Sequence, residues 1–587
     1  MKPRVVDFIV HVLRAYGVEH VFGVGGANIE DLYDAMFRAQ HGDGGAIRAI
    51  VAKHELSAAT MADGYSRATN RLGVVMATSG GGAMNLVPGL AEAAASRIPV
   101  LALVGQPPTT LEGGGAFQDS SGRAGSLDAA RLFGALARFC TRVENPEDIV
   151  DVLPRAIAAA RGGLPGPAVL LLPKDVQQAT LEAGSLAVAA APDEEPLDWA
   201  DGDASRARAL SLLEHGRQSK GGVLILAGEG VARANARDEL FRLAADLDAR
   251  VAVAPDAKDV FDNRDPRFVG VAGVMGHPSV LAHLRGAALC VLVGTRAPRM
   301  TSAGLDAAIS NKPLVCFDPE PPFVSGNPSV HIPGPLRAEL RRALERLTPR
   351  VRAAAPPPFV PPTALPRVKE RGARATGPSY RDAVAAIAAA LPAAAHVFVD
   401  AGNAAATAVH LLPAPRDGRF VVALGMGGMG YTFGAGIGAA LGTGRRTYVL
   451  AGDGSFFMHG LEVHTAIEYD APVTFVVLNN NAHAMCATRE ELFYGGAYSF
   501  NRFRPAHIGA GIAAMFPTLA ATEAASVAEL RHALVRANGT RGPAFVALDL
   551  DPDEIPPFAP FLAACGEDPP EKGITDEPER DIPLYVE

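Results

Sequence analysis

Short continuous apolar runs alternate with longer segments of helical spacing along most of the chain. In the first 185 residues the runs RLGVVMATSG, IPVLALVGQ and GPAVLLLPKDV end in glycine, proline or polar residues, and alanine-rich segments separate them. Strands that stay apolar without alternation are buried on both faces of a sheet. The pattern therefore predicts an α/β fold built from doubly wound parallel sheets.

The same alternation returns twice further along the chain. One set of runs starts at about residue 205 (GGVLILAGEG, ALCVLVGTR) and another near residue 380 (HVFVDAGN, RTYVLAGDG, APVTFVVLNN). A proline-rich stretch between them predicts an extended linker, and the charged C-terminal end predicts a loose tail or an arm docked on another subunit. We predict three domains at 1–185, 200–350 and 380–562, with a linker at 351–379 and a tail at 563–587. The first and third domains have similar size and pattern, although no repeat is visible residue by residue.

Composition narrows the function. The 587 residues are 48% hydrophobic and carry a formal charge of −9 that is spread along the chain, so no basic surface indicates nucleic acid or membrane as a partner. Charges interrupt the longest apolar stretches, so no transmembrane span is expected, and the first 20 residues have the pattern of an amphipathic helix. Five scattered cysteines without a CxxC pair fit a reducing cytoplasm.

The stretch AGDGSFFMHGLEVHTAIEYDAPVTFVVLNNN, residues 451–481, carries the strongest chemical signal. Asp453 follows one apolar run and Asn480 follows the next, with a segment between them long enough for a crossover helix. The two side chains are expected at one sheet edge, because the carboxyl ends of parallel strands lie together there. Ligands bind at this edge in open parallel sheets. Carboxylate and amide oxygens suit Mg²⁺ bound to phosphate. The alternative is an ordinary turn followed by a polar loop.

This stretch resembles the diphosphate motif of thiamine diphosphate (ThDP) enzymes, which begins GDG or GDA and ends in NN. The resemblance extends from residue 1 to about 562 and is closest to the acetohydroxyacid (acetolactate) synthase and pyruvate oxidase group. It implies that Asp453, Asn480 and the backbone carbonyl of Ala482 bind Mg²⁺.

Further segments share the resemblance: VFGVGGANIEDLYDA (21–35), KHELSAATMADGYSRAT (53–69), ATSGGGAMNLVPGLAEA (77–93), DAGNAAATAVH (400–410) and GMGGMGYTFGAGIGAALG (425–442). Glycine stands where the family usually has proline at Gly25, Gly81 and Gly434. These departures loosen the backbone but remove no chemical group.

The resemblance also implies roles for individual residues. Glu55 would hydrogen-bond the cofactor's pyrimidine ring, and Met429 would support its bent shape by packing; the alternatives are a solvated helix residue and a core methionine. In this family the two come from different subunits, which implies a homodimer or homotetramer with shared active sites. The predicted cofactor-binding residues are Gly25, Gly26, Glu55, Thr78, Asn85, Gly402, Asn403, Gly427, Met429, Gly452, Asp453, Gly454, Ser455, Asn480, Ala482, His483, Ala484 and Met485.

Three segments bear on the substrate. GGGAFQDSS resembles the synthase segment that lines the substrate pocket, which adds Phe117 and Gln118 to the predicted catalytic residues Glu55 and His483. His483 lies beyond the metal loop, where synthases commonly carry glutamine or a small residue, and the alternative is a surface histidine.

LVGTRAPRMTSAG resembles the synthase pattern G-x-R-x-x-R-x-T. Arg296 would then approach FAD and Arg299 a substrate carboxylate. The alternative is two solvated arginines, so the sequence leaves FAD open.

These features favour a ThDP- and Mg²⁺-dependent carboligase of the acetolactate synthase type. Such an enzyme decarboxylates a small 2-oxo acid such as pyruvate and transfers the acyl-anion unit to a second carbonyl acceptor. The alternatives are a non-ligating 2-oxo acid decarboxylase, an oxidase like pyruvate oxidase, or a non-catalytic regulatory subunit.

Overall fold

The three predicted sets of strands form three separate sheets. A computed structural model describes residues 2–41, 47–182, 203–347, 358–366, 368 and 377–566. Each sheet has six strands, and all strand pairs within the sheets are parallel. The predicted fold class is confirmed.

The first sheet lies among eight helices. Its strands β1 to β6 are His20–Gly23, Arg48–Val51, Gly73–Ala77, Val100–Gln106, Phe139–Arg142 and Pro167–Pro173. The helices α1 to α8 are Val5–Ala15, Glu30–His41, Glu55–Thr69, Gly81–Asn85, Val87–Ala95, Ala129–Gly134, Ile149–Arg161 and Lys174–Gln178. The helix predicted at the N-terminal end of the chain is thus confirmed as α1.

The second sheet follows in the chain. Its strands β7 to β12 are Val223–Ala227, Arg250–Val253, Phe268–Val271, Leu289–Val293, Leu314–Phe317 and Ser329–Ile332. The helices α9 to α15 are Asp203–Gln218, Gly230–Arg233, Arg237–Leu247, Pro278–Gly286, Arg299–Ser302, Asp306–Ser310 and Leu336–Arg346.

The third sheet contains the strands that precede the GDG and NNN segments. Its strands β13 to β18 are His396–Val399, Phe420–Val422, Thr447–Gly452, Val473–Asn479, Ala520–Ala524 and Ala544–Asp549. The helices α16 to α24 are Tyr380–Ala390, Asn403–Leu411, Tyr431–Thr443, Asp453–His459, Val463–Glu468, Ala484–Tyr494, Ile508–Met515, Val527–Asn538 and Ala559–Ala564.

The first and third sheets share one strand order. The first runs β2-β1-β3-β4-β6-β5 and the third β14-β13-β15-β16-β18-β17, which is the same order when each sheet is counted from its own first strand. The second sheet runs β12-β11-β10-β7-β8-β9, and its order reverses between β10 and β7. The similarity expected between the first and third domains is therefore present in their topology.

Helices α3 and α18 join the first and third sheets. They occupy equivalent places, because α3 follows β2 and α18 follows β14. Glycines let their backbones approach closely: a Cβ at Gly434 would overlap Thr60 Oγ1 and Ser57 O, and one at Gly64 would overlap the Ala435 backbone. The departure from proline at position 434 thus lies at a point where this chain has no room for a side chain.

The predicted linker and tail fall largely outside the described residues. Of the linker, only 358–366, 368 and 377–379 are described, and of the tail only 563–566. Within the described ranges, the model contains no helix with the length and apolar character needed to span a bilayer.

Candidate functional site

Asp453 and Asn480 lie together at the carboxyl edge of the third sheet. Strands β15 and β16 are parallel neighbours with Gly452 opposite Leu478, so the residues that follow them emerge side by side. Both side chains are buried, with 1% and 2% of their surface exposed. The Ala482 backbone N–H donates to Asp453 Oδ2 over 2.9 Å, which brings the Ala482 segment against the carboxylate.

One oxygen at this edge has no partner. Asn480 Nδ2 donates to the hydroxyl of buried Tyr380 over 3.0 Å, which fixes the amide orientation. Asn480 Oδ1 is buried and accepts no hydrogen bond. A buried amide oxygen without a donor is costly, whereas a cation bound there would satisfy it. The donor set of one carboxylate and one amide oxygen fits Mg²⁺.

The adjacent Asn479 has a different environment. Its Nδ2 donates to Asp549 Oδ1 over 2.7 Å and to the Ala506 carbonyl over 3.2 Å. The side chain therefore ties β16 to its neighbour β18. Of the two asparagines, Asn480 alone carries an unpartnered side-chain oxygen in the described chain.

The electrostatics of Asp453 also favour a cation. Burial raises the pKa of its carboxyl to about 6, although backbone N–H groups of residues 453, 454, 480 and 482 oppose the shift. A carboxylate held in such surroundings is stabilised by a positive charge placed beside it. No group of three or more His, Cys, Asp or Glu side chains arranged for a metal occurs in the described ranges. A metal at this edge would therefore use the mixed oxygen set.

Asp400 organises the loops around this edge and is not among the residues predicted from the sequence. Its Oδ1 accepts from the N–H of Gly430 (2.9 Å) and from Ser455 Oγ (2.7 Å), and its Oδ2 accepts from Thr432 Oγ1 (2.7 Å). The carboxylate therefore joins the end of β13 to the start of α18 and to the first turn of α19. The signal was the segment HVFVDAGN, in which an aspartate ends an apolar strand.

The loop before α18 carries Met429 to the same place. The methyl group of Met429 would lie 3.1 Å from a Cβ added at Gly454, so the two residues are in close contact. Gly402 and Gly427 have positive φ angles of 102° and 65°. A Cβ added at either of them, or at Gly428 or Gly452, would meet open space. Backbone free of side chains on several sides of Asp453 leaves room for a diphosphate group. Ser455, buried in α19, and Asn403, whose Oδ1 is buried and unpartnered, border this space.

Glu55 lies in a second group of predicted residues. It is half-buried at the first position of α3, and Asn85 Nδ2 donates to its Oε2 over 2.9 Å. A Cβ on Gly82 would meet both Thr78 and Glu55 Oε1, and one on Gly26 would lie 2.6 Å from Thr78 Cβ. Gly25 faces open space nearby in sequence. The structure thus brings together Glu55, Asn85, Thr78 and Gly26, which the sequence assigned to one site.

The Glu55 group and the Asp453 group are separate within one chain. The ring of His54, which precedes Glu55, lies 5.2 Å from the ring of His459 at the far end of α19 from Asp453. A seven-residue helix is about 10 Å long. No hydrogen bond or ion pair within the described segments joins the two groups.

His483 lies beside the Asp453 group. Its ring would meet a Cβ at Gly454, packs edge-on against Phe503 at 4.7 Å, and has Nδ1 3.3 Å from Asn501 Oδ1. Glu490 accepts from Asn501 Nδ2 over 2.5 Å. The predicted neighbours Ala484 and Met485 form the first turn of α21. The segment that carries Asn501 and Phe503 therefore packs against His483, next to the Asp453 group.

Phe117 and Gln118 lie in the long loop after β4. The Phe117 side chain is 85% exposed. Gln118 adopts a φ of 62°, and its side chain fills the space where Gly80 has no Cβ. Neither residue contacts the Asp453 group through a hydrogen bond in the described part of the chain.

Arg296 and Arg299 have different environments. Arg296 stacks on the Phe323 ring at 3.9 Å and lines a cavity of about 430 Å³ at the point where the strand order of the second sheet reverses. Arg299 points to solvent and pairs with Asp306 over 2.7 Å. The cavity is also lined by Arg97, Arg138, Arg233, Asp256, Asp318 and Glu320.

Comparison with known proteins agrees with this geometry. Three family models match in order: the N-terminal TPP binding domain of thiamine pyrophosphate enzymes at residues 3–124, their central domain at 207–347 and their C-terminal TPP binding domain at 400–548. The Glu55 group lies in the first match and the Asp453 group in the last.

Similar curated proteins cover most of the chain. The acetolactate synthase large subunit of Parasynechococcus marenigrum is 30% identical over 84% of this chain and 78% of its own length. A probable acetolactate synthase large subunit of Methanocaldococcus jannaschii is 27% identical over 94% and 93%. The isozyme 2 large subunit of Escherichia coli is 28% identical over 84% and 86%. The chain therefore belongs to the acetolactate synthase family of thiamine diphosphate-dependent enzymes.

Proposed function

We propose that the chain is a Mg²⁺- and ThDP-dependent carboligase that decarboxylates a small 2-oxo acid, such as pyruvate, and transfers the acyl-anion unit to a second carbonyl compound. The observation that carries the proposal is the unpartnered Asn480 Oδ1 beside buried Asp453 at the carboxyl edge of the third sheet. The acetolactate synthase relatives support ligation as the outcome. We further propose that 1–185, 200–350 and 380–562 act as the pyrimidine-binding, central and diphosphate-binding domains.

Different residues of the chain bind the metal ion, the diphosphate and the rest of the cofactor in this proposal. Asp453, Asn480 and the Ala482 carbonyl bind the metal ion, and Gly402, Gly427 and Gly452 leave space for the diphosphate. Asn403, Gly454 and Ser455 border that space. Met429 supports the cofactor by packing alone. ThDP supplies, when bound, the nucleophilic carbon that cleaves the 2-oxo acid and carries the acyl-anion unit.

Glu55 holds a proton at the pyrimidine ring nitrogen. Its carboxylate is oriented by Asn85 Nδ2 and lies against Gly82, so one oxygen is engaged and the other is available. A carboxylate positioned in this way can share a proton with a ring nitrogen. Phe117, Gln118 and His483 belong to the substrate side of the site in this proposal.

We propose that the site is completed by a second copy of the chain. The family resemblance supports this, because its members share their sites between subunits, and no hydrogen bond or ion pair joins the Glu55 and Asp453 groups within the described part of one chain. A homodimer is the smallest assembly that pairs Glu55 of one copy with Asp453 of the other, and a homotetramer contains the same pair.

The cavity in the second sheet supports a flavin or another nucleotide as a further ligand. It lies outside the carboxyl ends of β7, β10 and β11 at a topological switch point, where open α/β sheets bind ligands. Four arginines, among them Arg296, offer donors to phosphate oxygens. The absorbance spectrum of the purified protein tests FAD directly.

The function is tested by incubating the full chain with ThDP, Mg²⁺, pyruvate and a set of carbonyl acceptors. Products are identified by mass and chirality. Formation of an acetohydroxyacid or acyloin supports the proposal. Aldehyde without ligated product, or peroxide formed with oxygen, would instead favour a decarboxylase or an oxidase, and absence of any turnover with cofactor bound would contradict catalysis of this class.

A further inference from the structure

The loop that precedes α18 needs an external support. Residues 425–428 are exposed, and Gly427 and Gly428 have no atoms near the position of a Cβ. Glycine-rich backbone of this kind loses much conformational entropy when it is fixed. Met429 and Gly427, which the proposed function places against the cofactor, depend on this loop having a defined position.

Glu92 supports the start of the loop. It lies in α5 of the first sheet's helices and is 3% exposed. Its carboxylate accepts from the backbone N–H of Gly425 over 3.2 Å and from that of Met426 over 2.6 Å. Hydrogen bonds from backbone amides to a buried carboxylate are stronger than those to a neutral acceptor.

The loop start also packs on α5. A Cβ on Gly425 would lie 2.8 Å from Ala95 Cβ and 3.0 Å from both Glu92 Oε1 and Ser96 Oγ, so no side chain fits there. Ser96 Oγ donates to Glu92 Oε1 over 2.7 Å and orients the carboxylate. The contact is therefore shaped for backbone alone.

The end of the loop is held by a second carboxylate. Tyr431, the first residue of α18, donates its hydroxyl to Asp63 Oδ1. Arg67 joins the two carboxylates, because its Nε donates to Asp63 over 2.6 Å and its Nη2 to Glu92 over 3.3 Å. All three charged side chains are almost fully buried and belong to α3 and α5.

We propose that Glu92 and Asp63, joined by Arg67, are positioning residues that clamp the loop 425–430 from the first domain and so hold Met429 and Gly427 in place for ThDP. This inference rests on the proposed function, since it assumes that the loop contacts the cofactor. Helix α3 also begins with Glu55, so in the proposed dimer the clamp attaches the Met429 loop of one cofactor site to the helix whose Glu55 serves the other site.

The test uses the full chain with saturating Mg²⁺ and measures the ThDP Kd by calorimetry, together with thermal unfolding without ThDP. Glu92→Ala is expected to raise the Kd at least tenfold, and Glu92→Gln, which keeps one acceptor oxygen, by less. Glu239→Ala is the matched control, because Glu239 is also buried and accepts from two arginines, Arg337 and Arg341, in the second sheet's helices. It should lower the unfolding temperature and leave the ThDP Kd unchanged.

Tyr431→Phe keeps the test decisive if Glu92→Ala does not fold. It removes only the hydroxyl that reaches Asp63, and a several-fold higher ThDP Kd is expected. Wild-type Kd values in the Glu92 and Tyr431 variants would overturn the clamp, as would an equal effect of Glu239→Ala. If the wild-type protein itself does not bind ThDP, the proposed function fails first, and the two failures are thereby distinguished.

Discussion

The first and third sheets have one topology and carry different chemistry at their carboxyl edges. In the third sheet, β13, β15 and β16 are followed by the buried polar residues Asp400, Asp453 and Asn480. In the first sheet, the equivalent β1, β3 and β4 are followed by the uncharged residues Val24, Thr78 and Pro107, and the acidic group is Glu55 at the start of a helix. Function therefore follows from the residues at the strand ends, since the strand order is shared.

The difference matches two kinds of ligand. The third sheet offers a carboxylate, an unpartnered amide oxygen and side-chain-free backbone, which suit a metal ion and a diphosphate. The first sheet offers one half-buried carboxylate among small residues, which suits an uncharged ring. The equivalent helices α3 and α18 pack closely on each other and so connect the first and third sheets.

The largest effect on ThDP affinity is expected from a substitution in the Asp453 group of the third sheet. Asp453→Ala should weaken Mg²⁺-dependent ThDP binding roughly 100-fold or more, a loss of about 3 kcal/mol, because it removes the charged metal ligand. Calorimetry with and without Mg²⁺ measures this. Asp549→Asn, at the same edge one strand away, is the control and should bind as the wild type does. Equal binding by Asp453→Ala would assign the metal to other residues.

A substitution in the Glu55 group of the first sheet should have the opposite pattern of effects, with ThDP binding kept and proton exchange slowed. Glu55→Gln is expected to keep the ThDP Kd and to slow exchange of the bound cofactor's C2 proton about 100-fold or more, in the range for loss of a positioned acid–base group. Exchange into deuterated water, followed by NMR, reports the rate. Wild-type exchange in this variant would refute the role of Glu55. Loss of ThDP binding would show that Glu55, like Asp453, is needed to hold the cofactor.

A smaller effect, on the free energy of unfolding, is expected where α3 of the first domain packs on α18 of the third. Gly434→Ala forces a methyl group into Thr60 and Ser57 of α3 and should cost about 1–3 kcal/mol, the range for overpacking. Gly134→Ala is the control, since this exposed helical glycine has no atoms near its Cβ position. Chemical denaturation measures both. Equal stability of the two variants would show that the α3–α18 contact is looser than described.

The effect that is smallest at neutral pH is a dependence of stability on pH that both sheets share. His20 begins β1 and His396 begins β13, and both are buried. Burial lowers the pKa of His20, and burial with the charges of Arg419 and Arg445 lowers the pKa of His396 to about 4. The unfolded chain binds these protons near pH 6.5, so folding is unaffected above that pH and is destabilised as the pH falls.

For His396 the loss continues down to about pH 4, at up to about 1.4 kcal/mol per pH unit. His396→Asn should therefore have a flatter dependence of stability on pH between 6.5 and 4 than the wild type has, with His20→Asn as the comparison. Denaturation at a series of pH values measures the slopes. Parallel curves for His396→Asn and the wild type would contradict the effect.

The sequence predicted the central strands and missed edge strands. The runs RLGVVMATSG, IPVLALVGQ and GPAVLLLPKDV form β3, β4 and β6, whose residues are buried on both faces. The edge strands β5 and β17 are partly exposed and contain charged or polar residues, so no apolar run marks them. Their pairing is decided by the sheet and is not visible locally.

The site residues also divide into those that the sequence predicted and those that it missed. The structure places Asp453 and Asn480 together, as expected, because parallel neighbouring strands end at one edge. Asp400 and Glu92 were missed. In the Glu92 segment, LAEAAAS, nothing marks the glutamate as buried, because its partners Arg67 and the 425–426 backbone lie elsewhere in the chain. The roles of all the predicted site residues stay predictions.

The most direct test of the account is a structure of the full chain with ThDP and Mg²⁺. We expect one ion about 2.1 Å from an Asp453 carboxylate oxygen, Asn480 Oδ1 and the Ala482 carbonyl, with the cofactor's pyrimidine ring against Glu55 of a second copy. An ion bound elsewhere, or a ring that does not reach any Glu55, would contradict it.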